Sequence, residues 1–233
     1  MKVLFHTHTL NFRGTAVAVY DYAKYNQQIL GNESIICYNA SVPQELDVST
    51  EQEVVDLFKK EFQVVSYTTE QELQKHCDGV DVAYFIRYGH QEPLPQVRTA
   101  VHAVFQAYEP HGDRYAYVSE WLSKKMGHDT PFVPHIVSMP EPDTDLRLTL
   151  NIPRSALVFG RYGGFTEFNV PFVKRTIENA LKGRQDIYFV FMNTAPFIDS
   201  DRVVFLPASV DPVLKSNFIN SDRKSTRLNS SHT

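Results

Sequence analysis

The sequence predicts an α/β protein in which a parallel β-sheet carries helices on both faces and an incomplete second sheet of the same kind follows. Three observations predict it. Short apolar runs alternate with amphipathic stretches, the rhythm stops once in a proline-rich stretch, and it then starts again. With 233 residues and 42% hydrophobic content, the chain can bury a real core in one large domain or one and a half.

Taken in order, "KVLFH" reads as a strand, "TAVAVYDYAKYNQQIL" as a helix closed by Gly31, and "SIICYN" as a second strand, which together make one βαβ unit. "EQEVVDLFKKEF" has a helical apolar period, "QVVSY" is extended, and "EQELQKHCDG" is a helix with a glycine stop. "VDVAYFIRYG" is a buried strand, "TAVHAVFQ" and "YAYVS" are two more, and Ser119 caps a short helix, "EWLSKKMG". Such alternation predicts a Rossmann-like sheet over residues 1–130.

Across "DTPFVPHIVSMPEPDTDLRLTLNIP", residues 129–153, there are five prolines and no helical period. We read 131–153 as a proline-rich domain connection. The rhythm then restarts: "ALVFGRYGG" is a strand with a glycine turn, "VPFVKRTIENALKGR" a helix with Pro171 in its first turn, and "IYFVFMN" and "RVVFLP" are strands. Residues 154–221 therefore read as the truncated start of a second Rossmann-like domain. No shorter internal repeat is present.

From Asp222 the composition shifts to "DRKSTRLNSSHT", which has no apolar period and resembles one reading frame of a widely used sequencing adapter. We expect 222–233 to be non-native and the native protein to continue past Ser221.

A net charge of −4 gives no general attraction to nucleic acid. Cys37 and Cys77 are too few for a disulfide framework, and reduced thiols are expected. The start "MKVLFHTHTL" is too poor in apolar residues for a signal peptide or a spanning helix. A cytoplasmic protein with no transmembrane segment is the expectation, and the sequons at Asn32 and Asn39 are then accidental.

The opening "LFHTHTLNFRGTAVAVYDYA" has two readings. His6 and His8 at a strand end suit a metal-dependent hydrolase, with His90, His102, His111 and His135 available as partners. Alternatively Gly14 is the informative residue, because a strand, a loop and an immediate helix make a cradle for an anion. The restart of the βα rhythm as a second domain, in place of one continuing barrel, favours the second reading, in which His6 and His8 line the mouth of a cleft.

Four features in order, "FRGTAVAVYDYA", "AVHAVF", "YVSEWLSKKM" and "LVFGRYGG", make residues 1–221 resemble a glycosyltransferase of the group 1 type with GT-B architecture, two Rossmann-like domains facing each other across a cleft. The resemblance implies an acceptor-side first domain, a donor-side second domain and transfer from a nucleotide-sugar donor to an unknown sugar, lipid or protein acceptor, without a cofactor. It implies that Gly14 and Thr15 face the donor diphosphate, that His102 stands beside the transferred sugar as the catalytic histidine, and that Arg161 clamps the leaving diphosphate. Members of this group add a lysine after the arginine, whereas "YGGFTEFN" stands here, so the amides of Gly163 and Gly164 are expected to replace it. A non-catalytic sugar-nucleotide or carbohydrate-binding domain is the remaining alternative. As given, the chain is expected to be inactive, because such enzymes need later parts of the second domain.

Overall fold

The structure, a computed structural model, describes residues 1–42, 49–127 and 129–221, and the expected non-native tail lies outside the described residues. The chain divides into two compact units, Met1–Ser138 and the residues from Met139 onward. The proline-rich stretch is shared between them.

The first unit runs β1 (Lys2–Thr7), α1 (Gly14–Gln28), β2 (Glu33–Asn39), α2 (Gln52–Lys59), β3 (Gln63–Tyr67), α3 (Glu70–Cys77), β4 (Val82–Arg87), β5 (Thr99–Ala103), β6 (Arg114–Tyr117) and α4 (Glu120–Lys125). Its six strands form one parallel sheet in the order β3-β2-β1-β4-β5-β6. Chain order reverses between β1 and β4, which makes the C-terminal ends of those two strands the topological switch point.

Alternation along the strands assigns the two faces. Leu4, Ile35, Cys37, Ala83, Phe85 and Val101 point to one side, where Leu73 and Cys77 of α3 pack on them. The intervening positions point to the other side, where Tyr22 of α1 meets Tyr84 and His102. Each buried Leu or Phe contributes roughly 1.5–3 kcal/mol. α3 starts at Thr69, whose hydroxyl accepts from the Glu72 amide, and α4 starts at Ser119, whose hydroxyl accepts from Leu122.

The last stretch of this unit is pinned to it. Tyr117 N–H donates to the Pro131 carbonyl and Val133 N–H to that of Tyr117. The Tyr22 hydroxyl donates to the Pro134 carbonyl at 2.7 Å, and that of Tyr25 to Ser138 Oγ at 2.7 Å.

The second unit contains α5 (Leu146–Thr149), β7 (Leu157–Tyr162), α6 (Pro171–Gly183), β8 (Ile187–Met192), β9 (Val203–Leu206) and α7 (Pro212–Asn220). Its sheet is parallel in the order β7-β8-β9. One face packs on Phe218 of α7 and Leu146 of α5, the other on Ile177 and Leu181 of α6. The one-turn helix α5 lies where the sequence shows no helical period. Asp145 explains it: its side chain caps the Arg147 amide and also pairs with the Arg147 guanidinium. α7, equally absent from the pattern, starts on Asp211 with Pro212 in its first turn.

Candidate functional site

The loop leaving β1 is built by short-range hydrogen bonds. Thr7 Oγ1 donates to the Thr9 carbonyl, Asn11 Nδ2 donates to Thr9 Oγ1 at 2.9 Å, and the Arg13 amide donates to Asn11 Oδ1 at 3.0 Å. Thr9 and Asn11 are buried, so the loop is held in place up to the first residue of α1. Arg13 is the N-cap and its side chain makes no capping hydrogen bond, and no acidic residue occupies the first turn. Gly14 has neither a positive φ nor a neighbour that an added Cβ would touch. Neither the turn nor packing therefore requires glycine there; beside it is open space. Thr15 follows in the same first turn, half-buried.

The two histidines of the opening part company. His6 is fully buried, and its Nε2 shares a hydrogen bond of 2.8 Å with the Tyr67 hydroxyl. Burial, then His8 and Arg87, push its pKa well below the ordinary histidine value, so it stays neutral. It does not line the mouth of a cleft, because its strand alternation turns it into the core beside Phe85, 4.8 Å between rings. His8, one strand period further, has a half-exposed side chain with Nε2 3.5 Å from Glu92 Oε2. Burial lowers its pKa, and the Glu92 carboxylate opposes that. Among the described residues no group of three or more His, Cys, Asp or Glu could hold a metal ion.

Two residues beside His8 were not singled out in the sequence. Arg87 closes β4 and is 4% exposed, with its guanidinium 4.7 Å from the Phe85 ring centre. Its Nη1 lies 3.0 Å from Glu92 Oε2, and its Nη2 donates to the Pro93 carbonyl at 3.2 Å. Burial lowers its pKa and Glu92 partly restores it. Gly89 turns the loop that carries Glu92: its φ of 130° suits glycine alone, and a Cβ would meet the Ala107 carbonyl oxygen at 3.0 Å. The available signal was a charged residue ending an apolar strand in "VAYFIR". Next along, Tyr88, Phe105 and Trp121, all exposed, help line a shallow cavity of about 340 Å³. Tyr88 stacks on Phe105 at 4.6 Å.

His102 sits on β5, 3% exposed, with Nδ1 2.6 Å from the Tyr84 hydroxyl. His135, from the pinned last stretch, faces it with ring centres 5.4 Å apart. Burial, with His135 second, brings the His102 pKa down to about 4. This is the setting of a histidine held within the fold.

In the second unit Arg161 is the penultimate residue of β7. Its Nη1 donates to Thr194 Oγ1 at 2.6 Å and its guanidinium lies 4.8 Å from the Phe168 ring centre. Gly163 makes room for that side chain, since a Cβ there would lie 2.4 Å from Arg161 Nη2. The Gly163 amide makes a long bond of 3.4 Å to the Met192 carbonyl. Gly164 adjoins the Glu167 carboxylate, which a Cβ would meet at 2.4 Å, and so lies beside a negative rather than a positive group.

No protein-family model and no curated protein matches the sequence. Solved structures do. HepE from Anabaena, crystallised in complex with UDP and glucose, is 12% identical and superposes with a TM-score of 0.59 over 93% of this chain and 72% of its own. A glycosyltransferase from Rickettsia africae is 10% identical, with a TM-score of 0.55 over 93% of this chain and 70% of its own. Identities this low speak for architecture alone, and they agree with the sheet order and the second βα unit described above. The chain has the GT-B fold of glycosyltransferases.

Proposed function

We propose that the chain forms the acceptor-side domain and the beginning of the donor-side domain of an enzyme that transfers a sugar from a nucleotide-sugar donor to an acceptor. The observation that carries this reading is the topological switch point of the first unit. There the first turn of α1, whose N-cap side chain makes no capping hydrogen bond and whose first residue, Gly14, has open space beside it, adjoins the end of β1 in a fold shared with HepE, itself crystallised with UDP and glucose. First-turn amides at Gly14 and Thr15 suit a diphosphate, since they add hydrogen bonds to the positive end of the helix dipole. Exposed Tyr88, Phe105 and Trp121 offer the acceptor a platform of apolar rings.

The barrier to such a transfer lies largely in the charge that builds on the departing diphosphate. Arg161 is suited to it because its guanidinium can give two parallel hydrogen bonds once Thr194 yields one of them. Gly163 and Gly164 then serve chiefly to leave the guanidinium and Glu167 room. For His102 the reading carries a condition: it reaches a sugar only when the stretch bearing His135 moves off it.

The donor pocket in this reading also needs strands on the open side of β7, as β4–β6 flank β1 in the first unit. In a longer form, Arg161→Ala is expected to lower donor turnover more than about tenfold with the fold retained. Turnover unchanged by that substitution removes Arg161 from the site. A longer form that neither transfers nor hydrolyses any common nucleotide sugar overturns the reading.

A further inference from the structure

The second unit contains a standard against which Arg87 can be judged. Arg147 is as buried as Arg87, and its donors are used: Nε lies 3.0 and 2.9 Å from the two Asp145 oxygens and Nη2 2.5 Å from one of them. That is how a structural arginine offsets the loss of its water. Arg87 is different. Its Nε has no hydrogen-bond partner among the described residues, and its Nη1, although 3.0 Å from Glu92, is not aligned to donate to it. A guanidinium is a five-donor fork, and this one is buried with only Nη2 donating, to Pro93.

Glu92 is a poor permanent partner for it. It sits on the loop after Gly89, its side chain is 31% exposed, and one oxygen, Oε2, faces both Arg87 and His8. His8 and Arg87 both disfavour charge on His6, and Arg87 disfavours it on His8, where the Glu92 carboxylate opposes it. The group stands at the C-terminal ends of β1 and β4, where doubly wound sheets take their ligands.

We propose that this cluster at the switch point binds an oxyanion on the acceptor, a sugar carboxylate or a sugar phosphate, through Arg87 and His8, and that the Glu92 carboxylate is the internal group it displaces. Naming the ligand as an acceptor rests on the function proposed above; the anion site itself does not. A carboxylate and a phosphate both match the planar fork of Arg87. Loss of Glu92 from the fork frees Nη1 for the ligand while the Pro93 carbonyl keeps Nη2 and with it the orientation of the side chain.

The test uses the chain as it is, titrated with glucuronate, with glucose 6-phosphate and with neutral glucose, while NMR follows the Arg87 Nε–H and His8 ring signals. Saturable movement of both signals is expected with one or both acids and none with glucose, and the acid that saturates identifies the oxyanion. Glu92→Gln is expected to tighten binding about tenfold by removing the competitor, and Arg87→Gln to abolish it. No saturation with either acid up to about 50 mM, in the wild type and in Glu92→Gln alike, overturns the proposal; that ceiling lies beyond the millimolar affinity of a weak site. So does affinity that Glu92→Gln leaves unchanged or weakens, a readout that holds even where Arg87→Gln fails to fold. Binding is read without donor or turnover, so failure here and failure of sugar transfer are separate results.

Discussion

β1 and β7 each open a parallel unit of the same handed-on pattern, yet they end in different surroundings. β1 lies between β2 and β4, and every residue after Lys2 is buried; among the described residues β7 pairs with β8 alone, and Val158 is its one buried residue. Phe5 is 5% exposed and Phe159 is 45% exposed, on strands of similar apolar content. The difference teaches that the exposure of a strand is set by its neighbours, and that an apolar strand with an open side is stable only to the extent that one face and one edge suffice.

The comparison can be broken most directly by limited proteolysis. We expect a resistant core that ends just after Ser138, because the stretch through Ser138 is pinned to α1 and β6, while the second unit is digested. A resistant product that retains β8 and β9 would show that three strands suffice. Next in size, Phe85→Ala, at a fully buried position, should cost about 3–5 kcal/mol in urea melts, and Phe159→Ala less than about 1 kcal/mol. Equal costs would mean that β7 is covered in solution.

A third prediction concerns pH and the first unit alone. The folded protein holds His102 at about 4 against the ordinary histidine value of 6.5, so the unfolded chain takes up its proton first. Stability is therefore fully present above about pH 6.5 and is lost as the pH falls toward 4, by up to about 3 kcal/mol from this residue. His6 adds a loss of the same sign. His102→Leu should flatten the fall of chemical stability between these pH values, and an unchanged slope would show that His102 is protonated without unfolding. The smallest effects should be alike in both units. Ser119→Ala and Asp211→Ala each remove an N-cap and should each cost about 1 kcal/mol in the melting of their own unit, since a cap is local and does not depend on how many strands the sheet has.

The architecture was legible because its signals are local and repeated. Alternating runs such as "VAYFIR" and helices with clear stops, such as the one before Gly31, specify βα units one at a time. What was not legible depended on single side chains or on distance. α5 rests on one aspartate that both caps and pairs with Arg147, a signal without periodicity. Arg87 and Glu92 are five residues apart in sequence, but their meeting with His8 exists only because β1 and β4 are neighbours in the sheet. His6 and His8 look equivalent in "HTH", and the depth at which β1 ends separates them into a core residue and a surface one.

The hydroxyls of Tyr22 and Tyr25 reach partners 112 and 113 residues further along the chain. On a ribosome, α1 therefore emerges long before its clasp does. Closing so long a loop is among the slower events open to a small domain, and it leaves the early βα units waiting with part of their apolar surface uncovered. The first unit should consequently reach its native state only after Ser138 has left the exit tunnel, and nascent chains stopped short of that point should depend on chaperones.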